Sequence, residues 1–96
     1  MTYSYQRVSI RENTSTEFWN FTSEQLAKIK STYDDTGKRI SFTVTLSDDD
    51  DGGLHQTWTH VWNSVDDWKE YNTEFAACWP ERDQYNITHN IISVRL

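Results

Sequence analysis

The sequence predicts an α+β domain whose elements run β-α-β-β-α-β. Three observations carry that expectation. Residues 38–46, "KRISFTVTL", alternate apolar and polar side chains, the period of a half-buried strand. "SDDDDGG" then turns the chain into a second alternating stretch, Leu54–Trp62, which reads as its hairpin partner. On either side of this pair lies a segment with a helix-capping signature and an apolar stripe at helical spacing.

The first element is a strand over Tyr3–Arg11, with Val8 and Ile10 on one face and Tyr3, Tyr5 and Arg7 on the other. A polar connection, "ENTSTEFWN", follows, where Thr14 and Glu17 have the spacing of a capped turn. Phe21–Tyr33 reads as a helix. Thr22-x-x-Gln25 matches a capping box, Phe21 and Leu26 a hydrophobic staple, and Leu26, Ile29 and Tyr33 form the stripe. Gly37 supplies the left-handed residue at its exit. In the central hairpin Ile40, Phe42, Val44 and Leu46 share a face, with Arg39, Ser41, Thr43 and Thr45 opposite. On the partner strand Leu54, Gln56, Trp58, His60 and Trp62 share one face, and His55, Thr57, Thr59 and Val61 the other.

Ser64, with Asp67 three positions on, caps the second helix, and Trp68, Tyr71, Phe75 and Cys78/Trp79 form its core stripe. Pro80 ends that stripe and opens a short further helix, "PERDQYNITHN". Residues 91–96, "IISVRL", close the chain as a strand. Two right-handed crossovers around a hairpin give a ferredoxin-like sandwich: a four-stranded antiparallel sheet, order 4-1-3-2, with two helices on one face.

Ninety-six residues fit one domain spanning 1–96. Aliphatic residues are few, but five Trp, five Tyr and four Phe can fill a core, since each buried ring removes roughly 150–250 Å² from water. The net charge is −6, with four acids together at Asp48–Asp51. The nine basic residues form no stripe along the sequence, which argues against a nucleic-acid partner. The start, "MTYSYQRVSI", has no basic, apolar signal pattern, and no apolar run has membrane-spanning length, so a cytoplasmic setting without a membrane partner is expected. The single cysteine leaves no internal disulfide, and the N-x-S/T matches at Asn13, Asn20 and Asn86 are read as chance.

"VWNSVDDWKEY" carries a resemblance: a strand ending in Trp62, the Ser64 cap, acids and then Trp68. It is similar to the third-strand/second-helix junction of the dimeric α+β barrel superfamily, which includes antibiotic biosynthesis monooxygenase-like domains. More weakly, "FTSEQLAKIKSTYDDTGKRISFTVT" with "VWNS" resembles small uncharacterised proteins of marine T4-like phages. The first resemblance implies a homodimer formed by two sheets face to face, and Tyr3, Tyr5 and Val61 are expected on the dimer face. It also implies a pocket between helices and sheet, with Trp58, Trp62, Trp68, Tyr71 and Cys78 as its candidate walls. The haem-degrading pattern of that superfamily is met only at Trp68: Cys78 stands where that pattern has His, and the first strand lacks its Asn.

Among single residues, His60 is the candidate for acid/base work, because an imidazole titrates near neutrality and two tryptophans flank it on its face. The competing reading makes it a hydrogen-bonded histidine beside the core. His55 and His60 point to opposite faces, so no shared metal and no cofactor is expected. The acidic run lacks the closing Glu of an EF-hand loop and is read as a solvated hairpin tip that discourages edge pairing, with a partner-binding or nucleic-acid-mimic patch as a further reading. Cys78 reads as a small core hydrophobe, and Arg82 and Tyr85 could edge a pocket. These features predict a non-catalytic homodimeric binding or accessory protein of viral origin. The alternative is a cofactor-independent monooxygenase-like enzyme acting on a small aromatic ligand around His60, for which a cavity of roughly 300 Å³ is needed.

Overall fold

The computed structural model describes residues 1–12, 14–48 and 50–96. Strand β1 (Tyr3–Glu12) leads to helix α1 (Ser23–Ile29), which widens into one π-helical turn over Lys30–Asp34. The hairpin β2 (Arg39–Asp48) and β3 (Gly53–Trp62) follows, then α2 (Val65–Glu74), α3 (Cys78–Thr88) and β4 (Ile92–Arg95). All pairings are antiparallel, and the sheet order is β2-β3-β1-β4, which counted from its other edge is 4-1-3-2.

The local signals act through the bonds they imply. Thr22 Oγ1 accepts from the Gln25 N–H at 3.2 Å while Gln25 Oε1 accepts from the Thr22 N–H at 2.9 Å, a closed capping box. Ser64 Oγ accepts from the Asp67 N–H at 3.2 Å and donates to the Asp67 carboxylate at 3.0 Å. Gly37 adopts φ 79°, as its place after the helix demands. Of the expected staple pair, Phe21 is buried while Leu26 stays 40% exposed; Ile29 and Tyr33 are buried.

The second helix does not run to Pro80. Pro80 has no N–H to give the Ala76 carbonyl, and its ring would press on that group, so the ladder is interrupted at Phe75–Ala77 and resumes as α3. Tighter bonds bridge the corner: Cys78 N–H to Phe75 O at 2.9 Å and Trp79 N–H to Ala76 O at 3.2 Å. Cys78 and Trp79 therefore open α3 instead of closing the stripe of α2, and Pro80 sits in α3's first turn, where N–H groups lack helical partners. At the far end, Asn90 (φ 55°) sets the Ile91 N–H on Asn86 O at 2.8 Å and its own N–H on Ile87 O at 3.4 Å, a Schellman exit.

The register decides which face is covered. β1 and β3 pair Tyr3 with Trp62, Tyr5 with His60 and Arg7 with Trp58. Directly opposed residues share a face, so Tyr3 and Tyr5 join the tryptophans beneath the helices. This corrects the expectation that they stand on the bare face with Val61. Val61 pairs with Ser4 and does lie on the uncovered face, with Val8, Ile10, Ile92 and Val94. A bulge between Arg39 and Ser41 makes Ile40 the extra residue, 54% exposed, and turns Arg39 inward. There Arg39, 8% exposed, makes a bidentate pair with Asp34 at 2.6 and 2.9 Å and lies 4.4 Å over the Phe42 ring.

The core is aromatic, as composition implies: Trp19, Phe21, Tyr33, Trp62, Tyr71 and Phe75 with Ile29 and Cys78. Trp62 and Tyr33 are fully enclosed and meet edge-on at 5.8 Å. Tyr33 also donates to Glu74 at 2.6 Å, tying the π-helical turn to the end of α2.

Candidate functional site

Between the helices and the covered face of the sheet lies a cavity of about 130 Å³. Its floor is Tyr5, Arg7, Ser9, Gln56, Trp58 and His60 on β1 and β3. The walls come from Trp68, Tyr71 and Asn72 on α2 and from Trp79, Arg82 and Asn86 on α3. Phe18 and Trp19 of the β1–α1 connection and Arg95 of β4 complete it.

Four of the expected pocket residues meet here: Trp58, His60, Trp68 and Tyr71. Two do not. Trp62 is sealed behind the cavity at 0% exposure, because its place at the end of β3 puts it under Tyr33 and Tyr71. Cys78 lies on the other side of the helical layer in an open depression with Thr22, Gln25 and Phe75, and its sulfur accepts from Gln25 Nε2 at 3.4 Å. Burial pushes the Cys78 thiol up, which keeps it protonated and poorly nucleophilic. Arg82 lines the cavity, whereas Tyr85 packs on His89 at 4.2 Å.

His60 is 2% exposed and clamped between rings, stacked on Tyr5 at 4.6 Å and tilted against Phe42 at 4.8 Å. Its Nδ1 is buried without a hydrogen-bond partner among the described residues, so at that atom the imidazole is held by ring packing alone. Burial, reinforced by the nearby Arg39 and Arg7 charges, lowers its pKa to about 3. The imidazole is thus neutral across physiological pH and a weak base. Tyr71 is also driven up by burial and holds its proton. These shifts keep the titratable groups of the floor and wall uncharged, save the arginines.

The arginines were not legible as a set, because β1, α3 and β4 contribute one each. Arg7 donates to Ser93 Oγ at 3.2 Å. Arg95 donates to the Tyr3 hydroxyl and lies 4.3 Å over Tyr5 and 4.5 Å over Trp68. Arg82 lies 5.0 Å over Trp79 and meets the exposed Asp83 carboxylate at 3.2 Å. The indole N–H groups of Trp19 and Trp58, both lining residues, are buried without acceptors. Trp79 Nε1 instead donates to Asn72 Oδ1 at 3.1 Å.

No group of three or more His, Cys, Asp or Glu side chains gathers among the described residues, and none of their helices is long and apolar enough to cross a membrane. The Asp48–Asp51 readings fall in part on Asp49, which lies outside the described residues, as does Asn13. No protein-family model, curated protein or solved structure matches the chain.

Proposed function

We propose that this chain is a non-catalytic binding protein that takes a small aromatic ligand between its helices and sheet, and that it works as a homodimer of ferredoxin-like domains in the manner of the dimeric α+β barrels. The observation that carries the binding half is the aromatic-walled cavity of about 130 Å³ at Trp58, Trp68 and Trp79. An apolar cavity of about 150 Å³ is known to hold benzene, so this volume suits one planar ring. The oxygenase reading asks for roughly 300 Å³ and for a base matched to neutral pH. The cavity offers less than half that space, and His60 titrates near 3.

The dimer half rests on the uncovered face of the sheet. Val8, Ile10, Thr57, Thr59, Val61 and Val94 make up its centre, with no charged side chain among them in a chain that is 25% charged. Depletion of charge is what the core of an interface requires. From strand rise and spacing the face measures about 500 Å² per copy, so two copies would bury about 1,000 Å², the lower range of a specific interface. A second copy of this chain is the occupant whose surface is equally flat and uncharged.

Binding is tested by screening single-ring aromatic fragments against the ¹⁵N-labelled protein and following the five indole N–H signals. Fragments are expected to shift Trp58, Trp68 and Trp79 while Trp62 stays in place. A screen in which no fragment moves the cavity signals up to about 1 mM, a binding free energy of only ~4 kcal/mol, would refute the reading.

A further inference from the structure

We propose that the ligand of this cavity is an anion: a single-ring aromatic carboxylate, its carboxylate held by Arg7, Arg82 and Arg95 and its ring lying among Trp58, Trp68 and Trp79. The inference rests on the binding reading above and adds the ligand's charge.

Three guanidinium groups line one small cavity of a protein whose net charge is −6, and none of the residues lining that cavity is acidic. Arg7 and Arg95 are direct cross-strand partners on β1 and β4, so two like charges face each other where a sheet ordinarily places opposite or neutral ones. Packing accounts for two of the three: Arg95 covers Tyr5 and Trp68, and Arg82 covers Trp79. Among the described residues Arg7 covers no ring, and its hydrogen-bond partner is the neutral Ser93 hydroxyl. Burial and the neighbouring Arg82 charge both weaken its hold on its proton. The only described carboxylate in an ion pair with any of the three is Asp83, at 62% side-chain exposure; it pairs with Arg82 and its charge also reaches Arg7.

The remaining polar groups tell the same way. Apart from the arginines, the polar lining side chains Ser9, Gln56, Asn72 and Asn86 are all neutral. A site lined by three guanidinium groups and by no carboxylate is complementary to an acceptor-rich anion. Carboxylate matches guanidinium in planar, bidentate geometry, and a ring attached to it fills the space between the indoles. Inorganic phosphate would meet the charges and leave the aromatic walls unused.

Calorimetric titration of the protein in low-salt buffer with benzoate, benzyl alcohol and inorganic phosphate separates these possibilities. Benzoate is expected to bind at least tenfold more tightly than benzyl alcohol and to weaken as salt rises. Arg7→Gln should weaken benzoate about tenfold and leave benzyl alcohol within about twofold. Benzyl alcohol binding as tightly as benzoate overturns the anion assignment and leaves the binding function standing. Phosphate binding as tightly as benzoate, with benzyl alcohol silent, overturns the aromatic part. Silence from all three overturns the binding function itself. Should Arg7→Gln not fold, the wild-type ratio of benzoate to benzyl alcohol, together with Arg82→Gln, decides the matter on the same criteria.

Discussion

His60 is the residue whose role changes most between sequence and structure. Its position between Trp58 and Trp62 invites acid/base chemistry, yet the β1–β3 register slides Tyr5 over it and the imidazole becomes a core ring. With a folded pKa of about 3 against 6.5 in the open chain, a proton binds the unfolded state better. Stability from this residue is therefore complete above pH ~6.5 and falls as the pH drops towards 3, by up to about 1.4 kcal/mol per pH unit. Urea unfolding of wild type between pH 7 and 5 should show that decline, and His60→Phe, which keeps a ring and cannot titrate, should flatten it. An equal slope in both proteins assigns the titration elsewhere. Arg39 illustrates the opposite error: alternation puts it with Ser41 and the threonines, but the bulge at Ile40 resets the alternation and buries it. Arg7, Arg82 and Arg95 were legible only as single charges, since their convergence needs β4 returned to β1 and α3 laid above both.

At the scale of elements, what is local in sequence was legible. Thr22 with Gln25, Ser64 with Asp67, and Gly37 each act within a few residues, and each makes a bond or adopts the conformation that its spacing implies. Thr22→Ala should cost about 1 kcal/mol of stability by removing the bond to the Gln25 N–H; a loss under a few tenths in chemical denaturation would mean water replaces it. The end of α2 was not legible, because a proline's effect is felt four residues upstream, at the carbonyl it would crowd. Its shift moved Trp79 from one helix to the next, and with it a wall of the cavity.

For the whole molecule, the element order and the aromatic core follow from periodicity, but which sheet face is bare does not. A period of two separates the faces of each strand without saying how neighbouring strands align; only the register does that. With the register known, the bare face belongs to Val8, Ile10, Val61, Ile92 and Val94. Sedimentation at tens of micromolar should give a species of twice 11.4 kDa. Val94→Asp should return it to the monomer with its circular dichroism unchanged, since Val94 is 45% exposed and stands outside the core cluster. A wild-type monomer under those conditions removes the dimer.

The shortness of β4 bears on time rather than on shape. It is a four-residue edge strand joined only to β1, yet it carries Arg95, the cation lying over Tyr5 and Trp68. Strands so lightly held open far more often than the core around them. Each such opening lifts one of the three guanidinium groups off the cavity while Trp62 and Tyr33 remain packed. A ligand held by both Arg7 and Arg95 would bridge β1 and β4 and so fasten that strand to the sheet.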